Sequence, residues 1–326
     1  MEQRHLGRTG LQVSRLGLGT MTWSRDTDPH DAGEQLRTFL DAGGTLVDTA
    51  ASYADGGAEE LLGELLRGDV AREDVVLCTK AGVRSTAGGG VVDASRGAML
   101  ASLDASLRRL GTDHVDLWLV QGPDARTPLE ETVATLRLAV STGRARYVGL
   151  ANHPGWQVAR AAGLLDDGTG LAAVQAEYNL LQRGVEREVL PAAQALGAGL
   201  LAWSALGRGV LTGKYRRTVP PDSRAASTHL AGFVEPYLTR AAATVVEACA
   251  TAAAGLEVSP LDVALAWVRD RPGVAAALVG PRTTGQLRAC LAADDVVLPP
   301  QIRAALDEVT APVVGYPERF GPAARP

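Results

Sequence analysis

Lysine is almost absent. Of the 32 basic residues in this chain of 326, only Lys80 and Lys214 are lysine and the rest are arginine. A base-composition bias in the gene accounts for the ratio, but not for where the two remaining lysines stand. Arginine is always charged and presents a rigid fork, whereas lysine is a compact charge whose pKa can be tuned. Cysteine is scarce too. Cys78, Cys249 and Cys290 are too few and too scattered for a disulfide framework or a zinc cluster. No ligand spacing accompanies His114 or His153, so no metal site is expected. No apolar run approaches the roughly 18 residues of a membrane span, and the opening MEQRHLGRTG lacks the hydrophobic core of a signal peptide. A cytoplasmic protein without membrane contact is expected. Excess positive charge is missing as well. The formal net charge of −5 argues against a nucleic-acid or anionic-membrane partner. What remains, 46% apolar and 21% charged residues, is the composition of a globular protein with a large core.

Short β-branched runs alternate with longer Ala- and Leu-rich amphipathic stretches. Residues 4–14 predict a small hairpin turning between Gly7 and Gly10. Strands are predicted at 16–20, 45–49, 75–80, 115–120, 145–150, 172–176, 198–203 and 275–279. Helices are predicted at 29–42, 58–67, 95–110, 128–142, 154–165, 186–197, 237–254, 260–270, 284–292 and 300–309, with Ser95 capping the third and Gly111 stopping it. The tail 311–326 is expected to be irregular. Eight strands apolar on both faces imply a parallel sheet covered by helices. A doubly wound dinucleotide-binding sheet should carry G-x-G-x-x-G after its first strand, and the best candidate, Gly17 to Thr22, lacks the third glycine. Gly207–Lys214 fails the spacing of a phosphate-binding P-loop. The expectation is one α/β domain over 1–326: a (β/α)8 TIM barrel with an N-terminal β-hairpin and two additional helices late in the chain.

Catalytic groups of such a barrel project from the C-terminal ends of its strands. Those ends offer Asp48, Lys80 and Gln121, with Tyr53 five residues beyond Asp48. A free tyrosine, with a pKa near 10, gives up its proton poorly at neutral pH. A nearby ammonium lowers that pKa, and a carboxylate compensates the buried lysine. The product is a proton donor suited to a carbonyl oxygen becoming an alkoxide. Trp23, after the first strand, is a candidate either for the substrate mouth or for capping the core, and Gln121 is a candidate for substrate contact.

At this point the chain resembles the aldo-keto reductases, nearest in look to the bacterial sugar-type reductases and the potassium-channel β subunits. The segments that carry the likeness are LGRTGLQVSRLGLGT (6–20), VDTAASYADGGAEELLG (47–63), TK (79–80), LRRLGTDHVDLWLVQGPD (107–124), TPLEET (127–132), QAEYNLLQR (175–183), WSALGRGVLTGKY (203–215) and VGPRTTGQL (279–287). The resemblance implies NADPH as cofactor and a small carbonyl compound as substrate. It assigns Tyr53 as general acid, Lys80 as its pKa-lowering partner and Asp48 as the group holding Lys80. The fourth catalytic position, usually histidine in H-x-P-D, is Gln121 in QGPD. Its amide can donate a hydrogen bond but cannot carry a proton.

For the cofactor, the resemblance places Asn152 and Gln175 at the nicotinamide carboxamide, with Ala151 where a serine is usual. Gly19, Thr20, Met21 and Asp48 are also among the implied cofactor contacts. Trp203, Ser204, Leu206, Gly207 and Arg208 would follow the ribose and pyrophosphate. Lys214, Arg224, Gly280, Arg282 and Gln286 would surround the adenosine end, its cations selecting a 2′-phosphate, and Cys290 stands where the family has asparagine. Two alternatives to carbonyl reduction stay open: a cofactor-holding redox sensor with slow turnover, and a reductase of conjugated C=C bonds. The mouth loops, about 21–30, 82–95 and 205–240, leave the substrate open, and homo-oligomerisation is equally open.

Overall fold

In the computed structural model the described residues are 1–326 without 69, 87–88, 166–167, 314 and 317–326. The chain starts with an antiparallel hairpin, β1 (Gln3–His5) and β2 (Gln12–Ser14). It then alternates strand and helix: β3 (Leu16–Gly19), α1 (Pro29–Asp41), β4 (Leu46–Asp48), α2 (Gly57–Gly68) and β5 (Val76–Ala81). A second hairpin, β6 (Val83–Thr86) and β7 (Gly89–Val92), precedes α3 (Arg96–Leu110). The alternation resumes with β8 (Val115–Val120), α4 (Leu129–Ser141), β9 (Ala145–Ala151), α5 (Gly155–Leu164), β10 (Ala173–Glu177), α6 (Val189–Leu196) and β11 (Gly199–Trp203). The one-turn α7 (Ala231–Val234), α8 (Arg240–Leu256) and α9 (Pro260–Arg269) lead to β12 (Val274–Val279), α10 (Thr284–Ala292) and α11 (Pro300–Val309). The eight strands β3, β4, β5, β8, β9, β10, β11 and β12 close into a parallel barrel in that order. The helices α8 and α11 are the two additions, and they pack on each other.

Side chains alternate across a strand, and the barrel splits its apolar residues accordingly. Val47, Leu77, Trp118, Val120, Leu200 and Ala202 face the helices, whereas Leu46, Cys78, Leu117, Leu119, Leu201 and Leu278 fill the lumen. Leu6 and Val13 of the first hairpin join the lumen cluster and are fully buried, so the hairpin plugs the bottom. Its fit depends on Gly7 at φ +62°, where a Cβ would lie 2.2 Å from the Gly197 carbonyl oxygen. Arg8 N donates to that same oxygen at 2.7 Å.

Helix ends follow the sequence closely. Gly111 stops α3 in the left-handed conformation, and Ser259 with Asp262 forms a capping box on α9. Ser95 takes the cap position of α3 but makes no capping bond; its hydroxyl donates to Asp93 at 2.6 Å instead. Among the described residues no single helix is long and apolar enough to cross a membrane. The pair α8 and α9 would suffice together by composition but is bent by 101°. Residues 311–313 are irregular as expected, whereas 314 and 317–326 lie outside the described residues.

Candidate active site

The two-residue strand period also decides which polar groups crown the lumen. Above Leu46 comes Asp48, above Cys78 comes Lys80, above Leu119 comes Gln121, above Ala173 comes Gln175 and above Leu201 comes Trp203. All five line one cavity of about 500 Å³ at the C-terminal end of the barrel. Beneath them the lumen is apolar, so the charges at its upper edge are cut off from water on one side.

Lys80 and Asp48 are 2% and 4% exposed. The Lys80 ammonium donates to Asp48 Oδ2 at 2.7 Å and to the Thr49 carbonyl at 2.8 Å, and stands 3.5 Å from the Tyr53 hydroxyl. Asp48 Oδ1 accepts from Gln175 Nε2 at 2.8 Å. Burial works against the charge on Lys80, but Asp48, together with the neighbouring Tyr53 and Cys78, more than offsets it and holds the ammonium above its ordinary pKa. Tyr53 goes the other way from the sequence expectation. Burial pushes its phenol above the ordinary value, and the Lys80 charge only moderates that rise. Behind this group the fully buried Glu59 binds Arg109 Nε at 2.8 Å and accepts from the Thr79 hydroxyl at 2.5 Å. That contact fixes α2 and α3 against the strand carrying Lys80.

Tyr53 opens a tight turn in which Ala54 and Asp55 have φ of +48° and +54°. Non-glycine residues adopt that region at a cost of order 1–3 kcal/mol. Gln121 continues β8, with its N–H bound to the Ala81 carbonyl at 2.8 Å. Its side-chain Oε1 accepts from Ser52 Oγ at 3.0 Å, and its carbonyl accepts from Asn152 Nδ2 at 2.8 Å. Trp203 Nε1 donates to Asn152 Oδ1 at 3.0 Å.

The cavity runs from Tyr53 to a second, cationic end. Lys214, Arg224 and Arg282 line it there with Gly280, Gln286 and the 4% exposed Cys290. Arg224 Nη2 donates to the Gly280 carbonyl at 2.6 Å, and Gln286 Oε1 accepts from Arg282 N at 2.9 Å. None of these three cations has a carboxylate in ion-pair distance among the described residues. Burial and the neighbouring cations depress the basicity of both Lys214 and Arg224. Burial pushes the Cys290 thiol up to about 12, an unreactive setting.

Gly19, Met21, Ser204, Leu206 and Arg208 also line the cavity, together with Asp48, Asn152, Gln175 and Trp203. Three residues expected there do not. Trp23 is fully buried and donates its indole N–H to Gln35 on α1 at 3.1 Å, so it belongs to the core rather than a substrate mouth. Thr20 is buried with its hydroxyl on the Asp48 carbonyl, at 3.3 Å. Gly207, at φ +55°, packs beneath the wall against Leu181 and Leu211. Arg208 is only partly available, since its guanidinium pairs with Glu177 at 2.8 Å and lies 4.0 Å from the Phe233 ring centre. Thr22, Thr212, Phe233 and Leu261 are lining residues that sequence reasoning missed. Among the described residues, Asp28, His30 and Asp31 bring potential metal-ligand atoms within 4.8 Å of one another at the start of α1, and none of the three lines the cavity.

Comparison with known proteins agrees with this geometry. A model of the Aldo/keto reductase family matches residues 15–311. The chain is 35% identical to the "Uncharacterized oxidoreductase YrpG" of Bacillus subtilis (strain 168), over 95% of this chain and 96% of that protein. It is 35% identical to a "Probable voltage-gated potassium channel subunit beta" of Oryza sativa subsp. japonica, over 98% of each. It is 34% identical to the "L-glyceraldehyde 3-phosphate reductase" of Escherichia coli (strain K12), over 88% of this chain and 86% of that protein.

Proposed function

The chain belongs to the Aldo/keto reductase family, and from that premise we propose that it is an NADPH-dependent oxidoreductase that reduces an aldehyde or ketone to an alcohol. The observation that carries this reading is the buried Asp48–Lys80 pair with the Tyr53 hydroxyl 3.5 Å from the ammonium. The residues at the other end of the cavity fit a dinucleotide bearing an extra phosphate. Lys214, Arg224 and Arg282 repel one another without a carboxylate partner among the described residues, and an anion would relieve that repulsion. Gly209 at φ +92° leaves the backbone open beside Lys214.

Bound in this cavity, NADPH supplies a hydride to the carbonyl carbon. Tyr53 gives its hydroxyl proton to the carbonyl oxygen, and Lys80 stabilises the phenolate left behind. Asp48 keeps Lys80 charged in a site that would otherwise favour the neutral amine. The raised phenol keeps Tyr53 protonated at neutral pH, ready to act as an acid. Gln121 contributes a neutral N–H donor to the same oxygen. Asp48 also holds Gln175, so one carboxylate organises both the proton donor and an amide on the cofactor side.

Nicotinamide absorbance followed with a panel of aldehydes, ketones and enones tests the reading. Tyr53→Phe should lose at least about 10²-fold in rate, the lower range for general acid catalysis, while binding NADPH normally. Full activity in that variant refutes the assignment. A second reading, an NADPH-holding sensor, is favoured by one feature, the Gln121 amide, which cannot carry a proton. It would show one stoichiometric oxidation of cofactor and negligible steady-state rates.

A further inference from the structure

Ser52 immediately precedes Tyr53 in the chain, yet its hydroxyl reaches across to a different strand end. Ser52 Oγ donates to Gln121 Oε1 at 3.0 Å. A primary amide has an acceptor oxygen on one side and two donor hydrogens on the other. With Oε1 turned to Ser52, Nε2 is turned away from it. Gln121 lines the cavity, and among the described residues no hydrogen bond engages Nε2. The rest of Gln121 is fixed by the Ala81 carbonyl on its N–H and the Asn152 amide on its own carbonyl. Only its side-chain torsions remain free, and the two ends of the amide are nearly the same size. With Ser52 acting as the donor, as it does here, hydrogen bonding decides which end faces the cavity.

We propose that Ser52 is a positioning residue, holding the Gln121 amide so that N–H rather than C=O meets the substrate carbonyl oxygen. This rests on the carbonyl-reductase reading above. The reversed amide would set two oxygen lone pairs against each other. Alanine at position 52 leaves both orientations open, whereas threonine keeps a hydroxyl.

The test is a double-mutant cycle in steady-state reduction with NADPH, using Ser52→Ala, Ser52→Thr, Gln121→Ala and the Ser52→Ala/Gln121→Ala pair. Losing an oriented donor outright costs about 10²–10³ in kcat, so loosening its orientation should cost about threefold to tenfold. Ser52→Ala should show that loss in kcat with the KM for NADPH within about twofold, and Ser52→Thr should recover most of it. In the Gln121→Ala background, Ser52→Ala should have almost no further effect. Equal losses in both backgrounds, or none in either, overturn the proposal.

A second measurement needs no turnover. In protein labelled with 15N-glutamine, the Gln121 side-chain pair is assigned by its disappearance in Gln121→Glu. Relaxation should report it rigid in the parent protein and mobile in Ser52→Ala. Unchanged mobility overturns the proposal whatever the kinetics. A gain in mobility, in a protein that turns over no carbonyl compound, retains the Ser52 hold on Gln121 while refuting the carbonyl-reductase reading.

Discussion

Replacing Lys80 by methionine removes the ammonium and leaves a side chain of similar length. The structure gives the size of the loss. Lys80 and Asp48 bury their charges almost completely and meet at 2.7 Å. Without Lys80 the Asp48 carboxylate loses its charged partner and keeps the neutral Gln175 amide at 2.8 Å. Removing one partner of a buried ion pair costs about 3–5 kcal/mol, because the other charge is stranded. For a chain of 326 residues the unfolding entropy is about 0.7 kcal/mol/K, so that penalty lowers Tm by roughly 4–7 °C. Thermal unfolding followed by circular dichroism at neutral pH reads it directly.

The cause can be separated from lost packing in two ways. The stranded carboxyl of the variant should have a folded pKa above its unfolded value of about 4. The folded state then binds a proton before the unfolded state does, and the variant regains stability relative to the parent as pH falls. The gap in Tm should therefore narrow between pH 8 and pH 5. Asp48→Asn/Lys80→Met keeps an acceptor for Gln175 and strands no charge, so it should be more stable than Lys80→Met alone. A pH-independent gap, or a double variant as damaged as the sum of the singles, would refute the charge argument.

Other expectations are as direct. The raised Tyr53 phenol stays protonated past the ordinary tyrosine value near 10, so the Tyr53 proton should impose no fall in kcat/KM for reduction below about pH 9. A decline that Tyr53 titration causes and that is centred at lower pH would show that Lys80 outweighs burial. Lys214→Ala combined with Arg224→Ala removes two charge-assisted contacts, each worth about 1.5–3 kcal/mol. NADPH binding measured by fluorescence titration should weaken by at least about 10²-fold and NADH binding far less; an unchanged preference misplaces the phosphate. Gly7→Ala brings a Cβ to 2.2 Å from the Gly197 carbonyl at a left-handed φ. It should lower Tm by several degrees and speed proteolysis near the N-terminus, and a parent-like Tm would show that the plug can shift freely.

The barrel was legible because its signals are local. The barrel strands are largely apolar, and each falls within a few residues of its predicted place, as does the closing residue Gly111. The polar edge was legible for the same reason, since Asp48, Lys80 and Gln121 stand at the C-terminal ends of largely apolar strands. What escaped depends on distant partners. The hairpin over Val83–Thr86 and Gly89–Val92 lies in a glycine-rich stretch with no periodicity, and pairs only within itself. Trp23 reads like a mouth residue until Gln35, on the inner face of α1, takes its N–H. Phe233, one of three phenylalanines, reaches the cavity through a long loop whose path is held by Arg208. The direction of the Tyr53 shift needed the depth of burial, which residue types alone do not carry.

The scarcity of lysine has a practical side once the two sites are seen in space. Lys80 is sealed inside the barrel and bonded on two sides, whereas Lys214 is open to solvent on the cavity wall. Apart from the half-buried amino terminus, bound to the Ala42 carbonyl, this protein offers amine-reactive reagents a single accessible side chain. A fluorophore or a photocrosslinker coupled by ordinary acylation chemistry would therefore arrive at one known address, at the lip of the cavity. A ligand entering there would announce itself by slowing the coupling.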